Sequence, residues 1–129
     1  MATEFRHLVL EVEDVQRSIH FYRDIVGLRL TAQEERERHH IAVLSLGDFE
    51  LMLLQQPQTE EYGLGRRGGG MLLQFQVQGV EGLYKTFREN GVTIACDLGT
   101  SSWGERAFVG VDPDGYRLML AEPVSGIGR

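Results

Sequence analysis

The stretches FELMLLQQP, residues 49–57, and YRLMLAEP, residues 116–123, share one phrase: an aromatic residue, Leu-Met-Leu, polar residues and a proline. A phrase written twice in a short chain constrains the fold more than any single motif, because it marks two copies of one supersecondary unit. The match extends upstream. HLVLEVEDVQRSIHFYRDIVG, starting at His7, lies over LLQFQVQGVEGLYKTFRENG, starting at Leu72. Val12 then falls on Val77, Val15 on Val80, Tyr22 on Phe87 and Arg23 on Arg88. Between the copies runs QTEEYGLGRRGGG, residues 58–70, which is polar, glycine-rich and aperiodic, the composition of a linker.

Each copy has the same internal pattern. Phe5 to Glu13 alternates as a strand with Leu8, Leu10 and Val12 on one face. Asp14 suits a helix N-cap, with Val15, Ile19, Tyr22 and Val26 at helical spacing and Gly27 as a left-handed C-terminal cap. Strands are expected over Leu28–Glu34, His40–Leu46 and Phe49–Gln56, the last two joined by a tight turn at Gly47-Asp48. The second copy repeats this with a strand over Met71–Gln78 and a helix through Val80, Tyr84 and Phe87 ending at Gly91. Strands follow near Val92–Asp97, Arg106–Val111 and Tyr116–Glu122, with the turn DPDG before the last. The expected class is α+β: two βαβββ modules within one domain, residues 1–129. Module one is 5–57, the linker 58–70 and module two 71–123.

Thirteen basic against nineteen acidic residues give a net charge of −6, and no Lys/Arg cluster offsets it, which argues against nucleic acid as a partner. The longest apolar runs, such as Leu51 to Leu54, are far short of the ~20 residues of a membrane span. The single cysteine, Cys96, excludes an intrachain disulfide and suits a cytoplasmic setting, and the opening MATEFRH has no secretory pattern. Cys96 is expected to be a small core residue.

The duplicated unit, with HLVLEVEDVQRSIHFYRDIVGL at the start and WGERAFVGVDPDGYRLML near the end, resembles the vicinal oxygen chelate superfamily. Its members include glyoxalase I, extradiol dioxygenases, fosfomycin-resistance enzymes, methylmalonyl-CoA epimerases and bleomycin-resistance proteins. The resemblance runs from about Phe5 to Pro123. It implies that each module curls into a half-open barrel, that two modules form a cleft, and that modules pair across a homodimer. It also implies four metal slots in the enzymes: one opening the first strand of each module and one midway along each last strand.

Here the slots hold His7, Leu72, Met52 and Met119, where the enzymes would show Leu-Glu-Leu around the last two. A thioether is a poor ligand for hard or borderline divalent ions, and leucine is none. The paired methionines therefore read as adaptable apolar lining in place of carboxylates. Strand parity adds Val9, Glu11, Glu50 and Leu54 to the same face of module one, and Gln74, Gln76, Arg117 and Ala121 to that of module two. Glu122 has the opposite parity and reads as a strand-end surface residue.

The expected ligand-binding set is His7, Met52, Leu72, Gln74, Gln76, Trp103, Arg117 and Met119. Gln74 and Gln76 would hydrogen-bond a ligand or face water, and Trp103 would stack on a flat ligand or cap the core. Arg106 and Arg117 would meet an acidic substituent or solvent. His39 and His40 point to opposite faces and are expected at the rim.

The leading expectation is metal-independent, cofactor-free binding of a small apolar or aromatic compound, as in the bleomycin-resistance branch, with drug or toxin sequestration as the outcome. The alternative is a metal-dependent glyoxalase-like lyase, isomerase or dioxygenase holding one divalent metal at His7 and Glu50. A metal-free enzyme would use Glu11 or Glu50 as the general base in a dry cleft, so that the catalytic candidates across these readings are His7, Glu50 and Glu11. GLGRRG, residues 63–68, matches a dinucleotide fingerprint literally, but no strand–helix context surrounds it.

Overall fold

A computed structural model describes residues 2–36, 39–56 and 67–124, leaving the side chains of residues 36 and 39 undescribed. Contacts divide the chain into two compact units, Met1–Leu64 and Gly65–Arg129. In the first, β1 (Leu8–Val12) leads into α1 (Val15–Ile19), which continues as a π-helical segment (His20–Val26). Then come β2 (Arg29–Arg36), β3 (His39–Leu46) and β4 (Phe49–Gln55). The second has β5 (Leu72–Gln76), α2 (Val80–Glu89), β6 (Thr93–Thr100), β7 (Glu105–Val111) and β8 (Arg117–Pro123). The sheet orders are β1-β4-β3-β2 and β5-β8-β7-β6. In both, the first strand runs parallel to the last and the other pairings are antiparallel. The duplication read from the sequence is thus a duplication of topology.

Strand alternation decides which side chains each sheet buries. Leu10, Val12, Leu51 and Leu53 are almost wholly buried, as are Leu118 and Leu120, whereas Val9 and Leu72 on the other parity are 43% and 45% exposed. Each buried leucine or valine contributes about 1.5–3 kcal/mol relative to exposure. The helices complete these cores through Val15, Ile19, Tyr22 and Ile25 in unit one and Val80 and Phe87 in unit two.

The first helix departs from the expected stripe in its last turns. Gly27 and Leu28 both donate to the Tyr22 carbonyl, at 3.1 and 2.8 Å, so the chain carries an extra residue per turn there. That shift buries Phe21 beside Tyr22, their rings edge to face at 4.9 Å, and brings in Ile25 while leaving Val26 half-buried. Gly27 closes the segment at φ 104°, the left-handed conformation expected of it.

Cys96 is exposed, not a core residue. It lies on β6, the outermost strand of its sheet, and the β6–β7 register shifts on both sides of it, which breaks the alternation that would have turned it inward.

Both helix N-termini are capped from the last strand of their own unit. Gln55 Oε1 accepts from Val15 N at 2.8 Å, supplementing the Asp14 carboxylate, which takes Gln16 N and Arg17 N at 3.0 and 3.2 Å. In unit two Gly79 supplies no side chain, and Glu122 substitutes: its two oxygens accept from Gly79 N and Val80 N, each at 3.0 Å. The Gly79 bond, then the Val80 bond, hold the Glu122 carboxyl below its ordinary value against some opposing desolvation. A lowered folded value means that this stabilisation is complete above the ordinary glutamate pKa of about 4.3 and is lost as pH falls through the folded value. Glu122→Gln is therefore expected to have a lower Tm than wild type at pH 7, and the gap should close on acidification below about pH 4. Thermal melts followed by circular dichroism across that range check it. A gap independent of pH would mean the carboxylate charge contributes nothing.

Candidate functional site

The face of unit one left uncovered by its helix carries the residues that parity assigned to it. Leu8 pairs with Leu51 and Val9 with Met52 in the parallel β1–β4 register, which sets His7, just before β1, beside Glu50. His7 Nδ1 lies 3.8 Å from Glu50 Oε1, with the imidazole 20% and the carboxylate 49% exposed. The two are close enough to attract when the histidine is protonated but do not share a hydrogen bond. Val9 and Glu11 are exposed, and Met52 and Leu54 are half-buried.

Unit two repeats the geometry with different chemistry. Leu72 pairs with Arg117 and Gln74 with Met119. Arg117 therefore stands where unit one has Glu50, and Leu72 where it has His7. Leu72, Gln74, Gln76 and Arg117 are exposed, Met119 is half-buried and Ala121 is buried. The Arg117 Nη2 donates to the Met71 carbonyl at 3.3 Å.

The remaining candidates lie elsewhere. Trp103 sits in the turn before β7, 68% exposed, its indole N–H donating to Glu105 Oε1 at 2.9 Å. Arg106 is taken up within its own unit, pairing with Glu81 at 3.2 Å and donating to Thr100 Oγ1 at 2.9 Å. His40 faces Glu35 at 3.5 Å, and the His39 side chain lies outside the described residues. Residues 63–66 of the fingerprint-like stretch also lie outside them, and its last two residues, Arg67 and Gly68, enter a turn that leads into β5.

Whether these residues fit a divalent metal follows from their donors. A catalytic site of this kind needs about three protein ligands from imidazole, carboxylate or thiolate. Unit one offers His7 and Glu50, with Met52 a thioether. Unit two offers Leu72, Met119 and a guanidinium, which repels a cation. Among the described residues no group of three or more His, Cys, Asp or Glu comes together. The donor set does not fit.

Sequence reasoning missed the Gln55 and Glu122 caps. Their signal was present in the repeat, because the two residues occupy equivalent positions beside the two methionines.

The comparisons with known proteins agree with this topology. Residues 4–120 match the model of the Glyoxalase/Bleomycin resistance protein/Dioxygenase superfamily. The chain belongs to that superfamily. A lactoylglutathione lyase of Haemophilus influenzae is 30% identical, covering 95% of this chain and 97% of the relative. Among solved structures, a superfamily member from Sphaerobacter thermophilus superposes with TM-score 0.71 at 20% identity, over 93% of this chain and 98% of that one. TnmS3, an antibiotic binding protein from Streptomyces, does so with TM-score 0.70 at 22% identity, over 95% and 98%. Among the described residues no helix is long and apolar enough to cross a membrane.

Proposed function

We propose that this superfamily member binds a small, largely apolar or aromatic compound without a metal, and that it acts by sequestration. The observation that carries the reading is the donor set: His7 is the one metal-binding side chain in the four slots, beside Met52, Leu72 and Met119. Methionines offer a polarisable, adaptable surface suited to such a ligand. Gln74, Gln76 and Arg117 would supply polar contacts at its edge, Trp103 a stacking surface, and His7 a hydrogen bond. Pairing of modules across a homodimer and a cytoplasmic location belong to the same proposal. Binding is the activity named for the Streptomyces neighbour, whereas the Haemophilus relative is named a lyase; the residues in this chain's own four slots favour binding.

A second reading is favoured by the 3.8 Å approach of His7 to Glu50 and by that lyase relative. In it the pair is the remnant or rearrangement of an active site for glyoxalase-like lyase, isomerase or dioxygenase chemistry. In a metal-free form Glu50 or Glu11 would accept a proton from substrate, and His7 would orient or protonate it.

A neutral aromatic dye such as Nile red, titrated with EDTA present, tests the first reading. Wild type is expected to bind it saturably. Met52→Glu and Met119→Glu are each expected to weaken binding by about tenfold, since a carboxylate is placed against the apolar ligand. Unchanged affinity in both variants would remove the methionines from the site.

A further inference from the structure

We propose that unit two carries an oxyanion site, for the carboxylate or phosphate group of a small molecule, between the glycine turn 67–70 and the start of β8. An open hollow of about 350 Å³ there is lined by Arg67, Gly68, Gly69, Gly70, Gly115 and Arg117. It lies within unit two and shares Arg117 with the face that carries Met119, but it does not require the methionines to line a pocket.

Its charge is the first observation. Arg67 is paired with Asp114 at 3.3 Å, the two side chains 9% and 3% exposed, so their charges cancel locally. Arg117 is exposed, and its hydrogen bond goes to a backbone carbonyl; among the described residues no carboxylate pairs with it. The hollow is left with one uncompensated guanidinium, whose planar fork suits a carboxylate or phosphate.

The backbone is the second. Gly68 and Gly70 have φ of +78° and +72°, and Gly69 between them is not in that region. Successive backbone N–H groups in a turn of this kind are an arrangement that makes an anion-binding concavity. Among the described residues the Gly69 and Gly70 N–H groups donate to no protein acceptor, while Met71 N is taken by the Gly68 carbonyl at 3.4 Å.

The third is that the turn is built before any ligand arrives. A Cβ on Gly68 would fall 2.3 Å from the Gly115 carbonyl oxygen, so the two turns touch through glycine backbone. The Arg67–Asp114 pair ties the same turns together from beneath. A preformed site avoids the ordering cost of closing a loop around the anion. Gly68, the last residue of a stretch that lacks dinucleotide-binding context, acquires a use here.

The test is a titration of 15N-labelled protein with inorganic phosphate, acetate and chloride at constant ionic strength. The Gly69 and Gly70 amide resonances are expected to move saturably with phosphate or acetate and not with chloride. The stronger of the two assigns the ligand group as phosphoryl or carboxylate. Arg117→Gln, at an exposed position, is expected to fold and to weaken that binding by about tenfold or more. Glycine amides that stay still with both oxyanions, or that respond alike to all three anions, would overturn the site. So would an Arg117→Gln titration that matches wild type.

Discussion

Phe87→Ala is expected to lower the unfolding free energy by about 3–5 kcal/mol, the range for deleting a fully buried aromatic ring. Phe87 is wholly buried on α2, at the position equivalent to Tyr22 of unit one. Its ring meets Phe108 of β7 edge to face at 5.1 Å, a geometry that adds to simple burial. The sheet makes room for it at Gly110, where a Cβ would come within 2.7 Å of the Phe87 ring. A glycine in a strand interior costs conformational entropy, and here the ring occupies the space its missing side chain leaves. Truncation to alanine therefore opens a cavity over a strand that cannot refill it. Urea unfolding followed by circular dichroism measures the loss; a change under about 1 kcal/mol would show that α2 does not pack through this ring.

Arg67→Met should cost about 3 kcal/mol, because it leaves the buried Asp114 carboxylate without its guanidinium. Arg106→Met is the contrast. Its partner Glu81 is 71% exposed, and a surface pair of that kind contributes about 0–1 kcal/mol. A double change, Arg67→Met with Asp114→Leu, removes both charges and should return much of the loss, since an apolar pair of similar volume often replaces a buried ion pair at little cost. Equal effects of Arg67→Met and Arg106→Met in the same unfolding experiment would contradict the burial of the first pair.

The parts of the fold legible in the sequence were those with a period. The self-match of Val12 with Val77 and Tyr22 with Phe87 announced two units, and period-two alternation was enough to separate Leu10 and Val12, which are buried, from Val9, which is not. The same alternation put His7 and Glu50 on one face and Leu72 and Arg117 on another, but alternation carries no register. Only the parallel pairing of the strands sets His7 beside Glu50 and Leu72 opposite Arg117. What escaped has no period. The π-helical segment slips the stripe by one residue at Ile25, and the bulges on β6 turn Cys96 outward. Gly68 against Gly115 and Glu122 against Gly79 are contacts between turns and strand ends distant in sequence, which no local pattern encodes. Four residues of the stretch read as linker, 67–70, form a turn for that reason.

Because the metal-free reading rests on the slot residues, its most direct test is metal content. Protein purified without chelator is dialysed against mixed Ni, Zn, Mn, Co and Fe salts, then against metal-free buffer, and analysed by inductively coupled plasma mass spectrometry. Background levels are expected, because His7 and Glu50 cannot hold a divalent ion tightly with Leu72 and Met119 in the other slots. Near-stoichiometric retention of one metal would contradict it and give His7 and Glu50 to an enzyme's metal centre.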